Sequence, residues 1–169
     1  MYISHTFYRL LIVISFLFIS VSLLAEPTLE EVVVSARKVD ESVQDVPIAM
    51  SVFTASDIDD AGIERPEDFI ALTPNVVMAN TVNVGDTLVT IRGLTSTRDA
   101  ESNFAFVVDG VLQTNPNAFN RELLDIAQIE VLKGPQGALY GRNATSGAIL
   151  ITTKAPSEES ESTAVVGMG

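Results

Sequence analysis

Four glycines, Gly134, Gly137, Gly141 and Gly147, crowd the stretch KGPQGALYGRNATSGAILITTKAP from Lys133 to Pro156. Glycine enters positive φ without steric cost, so such a stretch can cradle a phosphate, turn a tight corner or let another chain come close. Spacing excludes phosphate. A P-loop places a second glycine five residues after the first and follows it with Lys-Ser or Lys-Thr, whereas Leu139 stands five after Gly134 and Arg142 five after Gly137. The dinucleotide pattern GxGxxG is absent as well. What remains on pattern alone is a tight connection between two strands.

A second stretch imitates a calcium loop. From Asp57 through Asp59 and Gly62 to Asp68, acids stand at positions one, three and twelve and glycine at six. The imitation fails at Ala61, Arg65 and Pro66, and position twelve is Asp where a bidentate Glu is needed. A capped, acidic, solvated helix is the better reading. Asn143-Ala-Thr145 matches a glycosylation acceptor, a pattern too common by chance to carry weight. The sequence has no cysteine and one histidine, His5. Thiol nucleophiles, disulfides, Ser-His relays and N/S zinc sites are therefore excluded once the leader is removed. Carboxylate or lysine catalysis would have to be assembled from scattered Asp, Glu, Lys133 and Lys154, so the chain reads as a non-enzyme with no catalytic residues, metal ligands or cofactor.

That leader is the first positional element. A short polar start with His5 and Arg9, an apolar run from Leu10 to Leu24 and then Ala25-Glu26-Pro27 form the layout of a secretory signal peptide over residues 1–25. The run is short for a membrane helix, which needs about 20 apolar residues. The formal charge of −12 argues against nucleic acid, whose binding depends on clustered Lys and Arg. The remaining length suits one domain.

The elements that must position these residues follow from patterning. Thr28–Lys38 reads as a β-branched strand, and VDESVQDVP after it as a linker. Ile48–Phe53 is a strand. Thr54 starts a helix with Asp57 in a capping-box position and Gly62 closing it. Pro66–Leu72 is a second helix, opened by Pro66 and stopped by Thr73-Pro74. Leu88–Arg92 is a strand before Gly93. The period-two run Phe104–Val108 and the turn Asp109-Gly110 predict a hairpin over FAFVVDGVLQ. Arg121–Ile126 is expected as a helical turn, and Ile129–Leu132 and Ala148–Thr153 as strands joined by the glycine stretch. Short helices among short strands make an α+β domain built on a small mixed β-sheet. Pro156–Ser162 reads as an acidic linker, and Thr163–Gly169 as the start of a strand.

Taken together, these segments resemble the amino-terminal plug region of TonB-dependent outer-membrane receptors. The resemblance rests on IEVLKGPQGALYGRNATSGAILITTKAP at Ile129–Pro156, IRGL at Ile91–Leu94, FVVDGV at Phe106–Val111 and, near the start, EEVVVSA at Glu30–Ala36, similar to the TonB box with Ser35 where threonine is commoner. The resemblance implies a signal peptide at 1–25, a flexible TonB box and linker at 26–46, a plug at 47–156, and at 157–169 a linker with the start of a truncated first barrel strand. It implies a plug that fills a β-barrel and gates energy-coupled uptake of a small ligand such as an iron–siderophore complex. The partners it implies are TonB, through its periplasmic carboxy-terminal domain, and a barrel absent from this sequence. The alternative is a free-standing periplasmic plug-like binding protein without transport activity.

Site residues follow from the same resemblance. Glu30, Glu31, Val32, Val33, Val34, Ser35 and Ala36 would bind TonB by adding a strand to its sheet, a mode in which main-chain hydrogen bonds supply affinity. Arg92, Glu130, Lys133 and Arg142 would make polar contacts with the barrel wall. Gly134, Gly137, Gly141 and Gly147 would shape loops that let the plug backbone lie close to that wall.

Overall fold

The computed structural model describes residues 31–35, 39, 41–80, 87–96, 102–115, 118–141 and 143–156. The leader expected at 1–25 and the strand start expected at 163–169 lie outside them. The chain divides into two units, Met1–Glu31 and Val32–Gly169, and every element below belongs to the second.

Five strands form the central sheet: β3 (Met50–Thr54), β7 (Phe104–Val108), β8 (Val111–Leu112), β9 (Ile126–Lys133) and β10 (Gly147–Thr153). Their spatial order is β3-β9-β10-β7-β8, antiparallel throughout except for the parallel pair β10–β7. The Asp109-Gly110 turn closes β7 and β8 as the sequence predicts, with both residues at positive φ. A smaller antiparallel sheet holds β4 (Val76–Asn80), β5 (Thr87–Ile91) and β6 (Leu94–Thr95). A third pairing joins β1 (Val33–Val34) to β2 (Glu41–Ser42).

Two helices link β3 to β4. Helix α1 (Ala55–Ala61) begins in a capping box: the Asp57 amide donates to Thr54 Oγ1, and the Thr54 amide donates to Asp57 Oδ2 at 2.9 Å. Asp57 thus stabilises a helix start in the stretch that imitates a calcium loop. Gly62, at φ 63°, ends the helix in the left-handed region. Helix α2 (Pro66–Ala71) opens on Pro66, with the amides of Glu64 and Arg65 donating to Asp68 Oδ2.

The middle strands of the central sheet, β9, β10 and β7, are buried on both faces. On one, Phe104, Phe106, Ile129, Val131, Ile149 and Ile151 meet Ile58 of α1, Phe69 and Ile70 of α2 and Val89 and Ile91 of β5. Phe119 lies edge-on to Phe69, Phe104 and Phe106 at ring-centre distances of 6.3, 5.3 and 5.0 Å, the geometry aromatic quadrupoles favour. On the other face, Ala105, Val107, Leu132, Ala148 and Leu150 meet Val34, Val46 and Ala144. Strand β7 therefore hides its small residues as fully as its large ones.

Three local expectations change. Strand β4 was not anticipated; Asn75, at φ 63°, turns the chain out of α2 and into it. The helical turn expected over Arg121–Ile126 does not form. The Leu123 amide donates to Glu64 O, Asp125 stands at φ 52° and Ile126 already begins β9, so the backbone there is committed to tertiary partners. Of the long strand expected over Thr28–Lys38, the described part pairs only at Val33–Val34, and it does so with the stretch expected as a linker.

Candidate functional site

Residues 31–35 carry the part of the leading segment that the structure describes; Glu30 and Ala36 lie outside the described residues. Glu31 is exposed. Val33 pairs with Ser42 and Val34 with Glu41, and the Val43 amide extends the ladder to Val32 O at 3.0 Å. The side chain of Val34 is 1 % exposed among Ala105, Val107, Leu132 and Leu150, whereas Val33 is 49 % exposed. A segment expected as a flexible strand is thus docked on the central sheet, by one buried valine and a two-residue ladder.

The opposite backbone edge of the segment meets side chains of β9. The Ser35 amide donates to Glu130 Oε1 at 3.0 Å, and Gln128 Nε2 donates to Val33 O at 3.0 Å. Gln128 Nε2 also donates to Glu130 Oε1 at 3.2 Å. Glu130 lies between Val52 of β3 and Leu150 of β10 and is 1 % exposed. Its presence is felt at Tyr140: burial, and after it the Glu130 charge, pushes the phenol up to about 12. Glu130, expected at a barrel wall, faces the chain's own leading segment in this structure. A cavity of about 690 Å³ adjoins the segment, lined by Ser35, Val107, Leu112, Tyr140, Leu150 and Thr152 among others.

The remaining predicted residues do not gather into one site. Arg92 is exposed at φ 50° in the turn between β5 and β6, and Lys133 Nζ donates to Ser51 Oγ at 3.0 Å. Arg142 lies outside the described residues. Two glycines have visible reasons. At Gly134, φ is 115° and an added Cβ would stand 3.0 Å from the Arg92 guanidinium; at Gly147, a Cβ would collide with the Leu132 carbonyl oxygen. Gly141 has positive φ with open space around it, while Gly137, which opens the single turn α3 (Gly137–Tyr140), has neither positive φ nor a close neighbour.

Sequence reasoning missed Gln128. Gln128 and Glu130 alternate with Ile129 and Val131, a pattern that reads as a solvated strand face until the leading segment covers it. It also missed a polar junction at Asn103. There Ser96 Oγ donates to Asn103 Oδ1 at 2.9 Å and the Ser146 amide to Asn103 O at 2.9 Å, tying the end of β6 to the start of β10. Asp109 is a third: its carboxylate accepts the amide and hydroxyl of Thr153, fixing the end of β10 to the hairpin turn.

The family model for the TonB-dependent receptor plug domain matches residues 42–148. The chain belongs to that family. Among its curated relatives, the pesticin receptor of Yersinia enterocolitica is 31 % identical over 132 residues, which are 78 % of this chain and 19 % of the receptor. The vitamin B12 transporter BtuB of Vibrio vulnificus is 31 % identical over 148 residues, 84 % of this chain and 23 % of the transporter. The crystal structure of the ferric yersiniabactin uptake receptor FyuA from Yersinia pestis superposes with a TM-score of 0.59 at 31 % identity, over 64 % of this chain and 17 % of FyuA. The chain therefore spans about a fifth of the length of the curated relatives it matches. These relatives are named as receptors and transporters, and the mixed sheets with short helices are the plug fold of this family.

Proposed function

We propose that this plug serves an outer-membrane receptor, gating energy-coupled uptake of a small ligand, with an iron–siderophore complex as the leading class. The observation that carries the reading is the plug-family match over residues 42–148. FyuA, a ferric yersiniabactin uptake receptor 31 % identical to this chain, supports the siderophore class, and BtuB, named for vitamin B12 and also 31 % identical, keeps a vitamin as the alternative cargo.

Two partners complete the reading. One is a β-barrel around the plug, with Arg92, Lys133 and Arg142 as the polar residues that meet its wall. The other is the periplasmic carboxy-terminal domain of TonB, joined by the segment Glu30–Ala36. Strand addition suits that segment: Val33–Val34 already adopts strand geometry and pairs through its main chain, so its backbone is shaped for another sheet. A two-residue ladder with one buried side chain is a hold that a longer strand pairing can outcompete.

Titrating the isotope-labelled chain with purified TonB carboxy-terminal domain tests the partner. Amide signals of residues 30–36 should shift or broaden while those of β9 and β10 stay in place. Unmoved signals at 30–36 with saturating TonB domain would remove the assignment.

A further inference from the structure

Gln128 and Glu130 both reach the leading segment from β9. In an extended strand, successive residues direct their N–H and C=O groups to opposite edges. Val32 and Val34 direct theirs to β2. Val33 and Ser35 direct theirs the other way, to the edge on which an incoming strand would pair. Those positions are occupied: Val33 O accepts from Gln128 Nε2 and the Ser35 amide donates to Glu130 Oε1, both at 3.0 Å. The two side chains stand two residues apart on one face of β9, which matches the two-residue repeat of the backbone groups they meet. The Gln128–Glu130 hydrogen bond at 3.2 Å holds them together as a pair.

We propose that Gln128 and Glu130 act as a side-chain substitute for a partner strand, covering the outer backbone edge of Val33–Ser35 and competing with any strand that adds there. This rests on the reading above that the segment joins TonB's sheet. An incoming strand gains its bonds to Val33 and Ser35 only by displacing these two side chains, so the pair sets how readily the segment is captured. The burial of Glu130 strengthens the hold, because a carboxylate removed from water depends on the donors around it.

The test measures Ser35 amide hydrogen exchange and TonB-domain affinity on the same samples: the full chain, Glu130→Ala and Gln128→Ala. Amides of the central β9–β10 ladder report whether the fold is intact. Exchange at Ser35 should speed up about tenfold or more in Glu130→Ala, and the purified TonB carboxy-terminal domain should bind either variant roughly tenfold tighter, about the worth of one ordinary hydrogen bond. Unchanged Ser35 exchange in Glu130→Ala, with the ladder protected, overturns the proposal whatever TonB does. Faster exchange with equal TonB affinity for all three chains overturns the competition. Faster exchange with no TonB binding to any chain upholds the covered edge and instead sinks the TonB reading. Should Glu130→Ala unsettle the core, half-buried Gln128→Ala decides in its place through the affinity, which must rise if the edge is covered and stays level if it is not.

Discussion

Single residues here do work that their types alone conceal. Thr54 and Asp57 close the first helix through reciprocal bonds, and Thr54→Ala should cost about 1 kcal/mol in a urea melt at pH 7. The hydrogen bonds from Thr54, side chain first and backbone second, hold the Asp57 carboxyl below its ordinary value of 3.8. A depressed carboxyl favours the folded state above its unfolded pKa, and the contribution is lost as pH falls through the folded value. The difference between wild type and Thr54→Ala should therefore shrink on going from pH 7 to below pH 3; a constant gap would remove Asp57 from the cap's energetics. The cap was legible in the sequence because its partners are three residues apart. Glu130 was not, since its donors Ser35 and Gln128 come from a segment 95 residues away and from its own strand.

The elements divide along the same line. Strands β3, β7, β9 and β10, the hairpin turn and helices α1 and α2 could be read from alternation, caps and turn residues, which are local signals. Strand β4 and the irregular run at 121–125 could not, because Asn75 and Asp125 adopt positive φ where the surrounding packing requires it. The double burial of the central sheet's middle strands was also hidden: alternation of Phe with Ala in β7 suggests one wet face, and only the arrival of Val34 and Val46 closes it. Two substitutions probe this level. Phe119→Ala removes the ring that meets three others and should cost about 3–5 kcal/mol, seen as a large drop in the urea midpoint. Gly147→Ala forces a methyl against the Leu132 carbonyl where β10 meets β9, and about 1–3 kcal/mol of overpacking is expected. A Gly147→Ala chain as stable as wild type would mean that the two strands can separate there without loss.

At the scale of the whole molecule, the plug family was recognisable because its motifs are contiguous and ordered, from IRGL to the glycine stretch. The docking of the leading segment was not, because nothing in EEVVVSA says whether its edge is free or covered. The docked state carries a physical consequence for the proposed partner: capture by TonB would be an exchange of strand partners. Its strength is the difference between two sets of hydrogen bonds, not the sum of one. The chain contains no cysteine, which permits a direct measurement. Single cysteines placed in turn at Glu31, Val32, Val33, Val34 and Ser35 are oxidised against a single cysteine on the pairing strand of the TonB carboxy-terminal domain. Strand addition predicts disulfide formation that peaks at the one position opposite the partner cysteine, is weak two residues away and is weakest at its immediate neighbours, whose side chains point to the other face of the shared sheet. Equal cross-linking at all five positions, or none at any of them, would contradict it.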